Sequence, residues 1–117
     1  MPGFETWDIV RVPFPYIDRP IRQHRPALVI AGDEPEAPFG LLWLMMITSA
    51  GNRGWPSDVA ISDLRRTGLP IPSIIRPAKV TTIDAREAER LGVLAMVDRT
   101  AVGQYLRDRL LPIFAGN

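Results

Sequence analysis

No cysteine occurs among the 117 residues, and that absence removes disulfides, thiolate zinc sites and cysteine nucleophiles together. A reducing cytoplasm is compatible with it. Histidine is nearly as scarce, His24 being the only one. An acid–base ribonuclease built on two histidines is therefore excluded, as is a His/Cys zinc site, which needs three or four such ligands. Lysine is just as rare: of 14 basic residues only Lys79 is not arginine. That bias suits phosphate recognition by planar guanidinium forks, but GC-rich coding produces it equally, so it carries no weight. Long apolar runs are missing too. The longest, Leu41 to Ile47 (LLWLMMI), falls well short of the roughly 20 residues a membrane helix needs. The opening MPGFETWDIV has no basic segment leading into an apolar one, so no secretory signal is read there. No Gly-rich phosphate cradle, Gly-x-Ser-x-Gly elbow or His-Glu-x-x-His pattern occurs. The expectation is a soluble, cytoplasmic protein with no membrane partner and no metal site.

What is present fits one domain over residues 1–117 with a single modest core. Hydrophobic residues make up 46% and charged residues 23%, ordinary proportions for a folded globular chain. The net charge of +1 does not by itself point to nucleic acid, but its placement is informative. Arg19, Arg22, His24 and Arg25 cluster, opposed only by Asp18. Acidic Asp33, Glu34 and Glu36 sit apart, interleaved with prolines, and read as a solvated turn more than as a cation site.

The apolar pattern predicts short strands. Trp7 to Val12 alternates, and Pro13-Phe14-Pro15 should stop it, since proline cannot donate to a central ladder. A polar, arginine-rich connection over 16–25 leads to a buried strand, Pro26 to Ala31 (PALVIA), turned by Gly32-Asp33-Glu34-Pro35. Phe39 to Thr48 is apolar on both faces and should run through the middle of the sheet. A Gly-rich loop (Ser49 to Pro56), a strand at Asp58 to Ile61, a loop over Leu64 to Pro72, and one or two strands over Ser73 to Ile83, broken near Pro77, follow. Then the period changes. Asp84 to Glu87 (DARE) reads as a capping box opening a short helix that Gly92 stops. Asp98 reads as the cap of a second helix with Val102, Tyr105, Leu106, Arg109 and Leu110 on one stripe, ended by Pro112. Trp7, Leu42, Leu44, Met46, Ile61, Val80 and Leu94 are the expected core. Short strands closed by a C-terminal helix describe a mainly β fold, a small antiparallel barrel, of a size that often gains stability by pairing with a copy of itself.

The residues left to carry chemistry stand at strand ends. His24-Arg25 immediately precedes PALVIA, and Thr48-Ser49 immediately follows LLWLMMI. If those strands are antiparallel neighbours, Arg25 comes near Thr48, and a fixed guanidinium beside a hydroxyl is a good phosphate receptor. An arginine before proline is also an ordinary strand entry and Thr-Ser an ordinary strand end. On spacing alone the ordinary reading is favoured.

Four segments in order, WDIVRVPFP, HRPALVI, the strand ending ITS, and SIIRPAKVTTID followed by Gly92-Val93-Leu94, resemble the MazF/PemK toxin family over roughly residues 7 to 112. The resemblance implies an SH3-like (CcdB/MazF-type) barrel, a homodimer, and a type II toxin that is a metal-independent, cofactor-free endoribonuclease. It also implies restraint by a cognate acidic antitoxin, with DNA binding by the toxin–antitoxin complex. The family's catalytic arginine falls on Arg25 and its catalytic threonine on Thr48. The family's nucleophile is the 2′-hydroxyl of single-stranded RNA, leaving 2′,3′-cyclic phosphate and 5′-hydroxyl ends. Because a guanidinium keeps its proton at physiological pH, Arg25 is read as a stabiliser of phosphorane charge and Thr48 as a second donor. The acid and base are left open among His24, a neighbouring group and water.

Residues expected to contact RNA are Phe14, Arg22, His24, Ser49, Arg53, Ser73, Arg76 and Lys79, with Phe14, Tyr16 and Trp55 as stacking platforms. Opposite charge at Arg19 to Arg25 would suit an acidic antitoxin. The chain departs from many relatives at Trp7, where they carry glycine, and at Ala78, Lys79 and Thr81. Two other functions are weighed: a non-catalytic SH3-like binding module or inactive toxin relative, and a CcdB-type gyrase poison. The terminal Phe114-Ala-Gly-Asn, which lacks that toxin's Trp-Gly end, disfavours the last.

Overall fold

The computed structural model describes residues 3–14, 23–32 and 40–115. These form β1 (Asp8–Phe14), β2 (Gln23–Ala31), β3 (Leu41–Ser49), β4 (Val59–Ala60), β5 (Ser73–Asp84), β6 (Glu89–Val93) and α1 (Met96–Phe114). The strands pair antiparallel in one curled sheet ordered β4-β5-β3-β2-β1-β6. The expected architecture holds: mainly β, with β3 in the interior of the sheet and a C-terminal helix.

Both faces of the sheet are covered, which is why its central strands read as near-continuous apolar runs. One face gathers Ile9, Leu28, Met45, Ile47 and Ile75 under Ile61, Leu69, Leu94 and the helix residue Val102. The other gathers Val10, Val12, Ala27, Val29, Leu42 and Leu44. Each such aliphatic side chain removed from water contributes about 1.5–3 kcal/mol. Of the expected core residues, Leu42, Leu44, Ile61 and Leu94 are buried, and Trp7 packs partly buried against the helix-side core. Val80 is not core: it is 52% exposed and lines an open groove with Trp43, Tyr105 and Leu110 between sheet and helix. Met46 is only half-buried, because the second core ends there and a cleft begins.

Five local expectations are corrected. β1 continues through Pro13, which lies opposite His24. β6 pairs with β1 only as far as Arg11, so the ladder proline would interrupt is already over on that side. Asp84 to Glu87 makes a single 3₁₀ turn, Asp84 accepting from the Arg86 amide, and the chain then enters β6 instead of a helix. Gly92 sits inside that strand: a Cβ there would lie 2.1 Å from the Arg66 carbonyl oxygen and 2.6 Å from that of Thr67. Close backbone approach, not helix termination, requires the glycine. Asp98 does not cap its own helix. α1 starts at Met96, and the Asp98 carboxylate accepts from the Ser62 amide and hydroxyl and the Asp63 amide. It pins the 62–63 loop to the helix. Pro112 lies within α1, which runs to Phe114; the nitrogen lacks only one hydrogen bond so close to the end.

Trp7 has φ 81°, the left-handed region that favours glycine. Its amide donates to the Val29 carbonyl at 2.8 Å and its carbonyl accepts from the Leu94 amide at 2.9 Å, while Arg99 lies 5.5 Å over its ring. The indole's packing holds a conformation that glycine would adopt without strain.

Candidate phosphate-binding cleft

β2 and β3 are antiparallel neighbours, with Ala27 opposite Met46 and Leu28 opposite Met45. Two residues further along that register, Arg25 faces Thr48. Side chains alternate across a strand, so Arg25, Ala27 and Val29 share a face, as do Thr48, Met46 and Leu44. The pair therefore stands at the end of the second core, where apolar packing gives way to an opening. Arg25 is half-buried and Thr48 is 9% exposed.

Two clefts meet at this pair. One, of about 190 Å³, is lined by Arg25, Met46, Thr48, Asn52, Arg76 and Lys79. The other, of about 370 Å³, adjoins it and is walled by His24, Arg25, Thr48, Ser49, Ser73 and the apolar stretch Leu69 to Ile71. β5 shapes the first. Met46 pairs with Arg76, yet Met45 pairs with Val80, so Pro77, Ala78 and Lys79 bulge out of register. The bulge brings Arg76 and Lys79 to one cleft, as strand irregularities next to functional sites often do.

Arg76 is tightly held. Its Nε and Nη2 donate to the two carboxylate oxygens of Asp58, both at 3.1 Å, and Nη2 also donates to the Asn52 carbonyl at 2.7 Å. Its guanidinium lies 4.4 Å over the Trp55 ring, with Lys79 Nζ at 5.5 Å. The Arg76 and Asp58 side chains are only 11% and 9% exposed. Hydrogen bonding from Arg76 holds the Asp58 carboxyl below its ordinary 3.8, against the opposing effect of burial and aided by the Trp55 and Gly54 amides. Loop 50–58 is thus tied to β5 by a bidentate pair. It also reaches back to β3: Asn52 Nδ2 donates to Thr48 Oγ1 at 2.9 Å and approaches Ser49 Oγ at 3.5 Å.

Of the residues singled out in the sequence, Arg25, Thr48, Arg76 and Lys79 gather at one cleft, and His24, Ser49 and Ser73 at its neighbour. Arg53 lines neither; it follows the 3₁₀ turn Ala50–Asn52 and is exposed. Phe14 closes β1. Arg22, Tyr16, Arg19, Asp18 and the acidic Asp33, Glu34 and Glu36 lie outside the described residues. Sequence reading missed Asn52 and Asp58. The signal for Asn52 was its position four residues after Thr48 in a tight turn, within reach of that hydroxyl. Among the described residues no three His, Cys, Asp or Glu side chains come together as metal ligands, and no helix is long and apolar enough to cross a membrane.

The arrangement offers a partly desolvated guanidinium, a buried hydroxyl, Lys79 and the Asp58-paired Arg76 around one small opening, groups that together can receive an anion. Residues 5–110 match the family described as PemK-like, MazF-like toxin of type II toxin-antitoxin system. The fold is similar to MazF of Deinococcus radiodurans (TM-score 0.69, 21% identity, covering 94% of this chain and 98% of that one). It is likewise similar to a MazE-MazF complex from the same organism (0.67, 21%, 91% and 94%). An endoribonuclease in complex with its cognate antitoxin from a mycobacterial species is also similar (0.69, 15%, 91% and 93%). A comparison with curated proteins finds no match.

Proposed function

The chain belongs to the PemK-like, MazF-like family of type II toxins, and from that membership we propose that it is a metal-independent endoribonuclease acting on single-stranded RNA. The observation that carries the reading is the meeting of Arg25 and Thr48 at a cation-lined cleft.

In the proposed reaction the substrate's own 2′-oxygen attacks the adjacent phosphorus and the 5′-oxygen departs. Products end in a 2′,3′-cyclic phosphate and a 5′-hydroxyl. No protein nucleophile is required, which suits a chain with no cysteine and one histidine. Arg25 donates to the phosphorane oxygens as negative charge builds there, and Thr48 supplies a second hydrogen bond, both preorganised by β2 and β3. The larger cleft, with Leu69, Pro70 and Ile71 along one wall and His24, Ser49 and Ser73 polar at its rim, takes an adjoining nucleotide. Phe14, Arg22, Arg53 and Lys79 serve as contacts along the strand. Arg76, whose charge Asp58 offsets, acts there mainly by holding the Asn52 turn beside Thr48.

We also propose that a cognate acidic antitoxin restrains the toxin by occupying this cationic cleft, and that the toxin works in the cytoplasm as a homodimer. A small core and exposed Trp43, Val80 and Leu110 support the pairing. The test is product chemistry. Purified protein is incubated with a defined single-stranded RNA in EDTA. Fragments bearing cyclic phosphates, with 5′ ends that polynucleotide kinase labels without prior phosphatase treatment, are expected. Intact RNA, or 5′-phosphate ends, would refute the reading.

A further inference from the structure

We propose that Asn52 is a positioning residue: it fixes the direction in which the Thr48 hydroxyl donates its proton. The inference rests on the reading of Thr48 as a phosphate donor given above.

A threonine hydroxyl has one proton and two lone pairs, and its proton rotates to suit its surroundings. In this structure Asn52 Nδ2 donates to Thr48 Oγ1 at 2.9 Å. That contact occupies a lone pair and turns the hydroxyl proton away from the amide. Thr48 and Asn52 line one cleft with Arg25, Arg76 and Lys79, so the proton turned from the amide is left to meet an anion held there. Thr48 is 9% exposed, so little water competes to reorient it, and its β-branched side chain is stiff about χ1. The hydroxyl is left as a donor aimed at whatever anion the cations hold.

The Asn52 main chain, from which that amide projects, is itself held. Arg53's amide closes the 3₁₀ turn onto the Ala50 carbonyl at 3.2 Å. Arg76 Nη2 takes the Asn52 carbonyl at 2.7 Å, while the same guanidinium grips Asp58. Asp58 in turn receives the Gly54 and Trp55 amides. Hydrogen bonds thus link Asp58 to Arg76, Arg76 to the Asn52 main chain, and the Asn52 side chain to Thr48. The Arg76–Asp58 pair at its root is largely buried, with side chains 11% and 9% exposed, and a satisfied buried pair of this kind holds one geometry.

The experiment is a double-mutant cycle on RNA cleavage with N52A, T48A and the double variant, with kcat and KM measured separately. N52A should lower kcat about 3- to 10-fold, the worth of one neutral hydrogen bond, with KM changed by no more than about twofold. In the T48A background N52A should cost nothing further, because there is no hydroxyl left to orient. A general loosening of the loop would instead multiply the two losses. Equal N52A costs in both backgrounds, or a parental kcat for N52A, overturns the proposal. If T48A alone cleaves at the parental rate, the assignment of Thr48 fails, and this proposal with it. That outcome is visible in the single variant. Thermal melts check that N52A folds; should it not, the cycle is run with N52L, which keeps the side chain's size and removes its donor without adding charge.

Discussion

Replacing Asp58 by alanine tests the tie between loop and sheet on which the cleft's shape depends. The substitution removes both carboxylate oxygens that receive Arg76 and the acceptor of the Gly54 and Trp55 amides. Breaking a buried ion pair from one side costs about 3–5 kcal/mol, since the other charge stays uncompensated. Here the cost is smaller. Arg76 keeps the Asn52 carbonyl and the Trp55 ring, the freed amides lie in an exposed loop, and the pair borders an open cleft. About 1–3 kcal/mol is expected. At roughly 2.1 cal/mol/K per residue, 117 residues give an unfolding entropy of about 0.25 kcal/mol/K, so Tm should fall by about 4–12 °C. The D58A/R76A double variant should cost less than the sum of the singles, because no lone charge remains. Scanning calorimetry at neutral pH measures all three. A D58A melting temperature within about 2 °C of the parent, or a double variant equal to the sum, would refute the reasoning.

Three further outcomes follow from the fold. G92A should be among the most destabilising single changes, costing about 3 kcal/mol or more in urea unfolding, since its Cβ would strike the Arg66 and Thr67 carbonyls; an unchanged midpoint would contradict the β6 packing. D98A should cost about 2–4 kcal/mol, since it strands the Ser62 and Asp63 amides, and proteolysis should then cut near residue 62 sooner. Asp63 and Asp84 are held down to about 2 by Arg65 and Arg86 respectively. A depressed carboxyl adds stability above its unfolded value of 3.8, lost as pH falls through the folded value. Tm should therefore drop between about pH 4 and pH 2, and the D63N/D84N variant should show a shallower acid limb in that window.

The sequence carried the architecture because the sheet is buried on both faces, and runs such as LLWLMMI and PALVIA can then be little else than interior strands. Arg25 and Thr48 could be placed together because antiparallel pairing puts the start of β2 beside the end of β3. What stayed hidden depended on long-range contact. DARE has the residue pattern of a helix start, but strand pairing with β1 claims Glu89–Val93 and leaves only a 3₁₀ turn. Asp98 resembles a cap, yet its acceptors are drawn to Ser62 and Asp63, more than thirty positions away. Trp7 reads as a strand residue, and nothing local announces its positive φ. Arg76 looked like a phosphate contact because its partner Asp58 reads as a mere strand entry; only the loop's path shows the two charges meeting.

The central claim is that Arg25 and Thr48 act together on one phosphodiester, and single-turnover cleavage of a single-stranded RNA in EDTA tests it most directly. Removing either side chain, as R25A or T48A, should slow the chemical step on the order of 10²–10³-fold, with folding intact by thermal melt. An R25A protein that cuts the RNA at the parental rate would contradict the account.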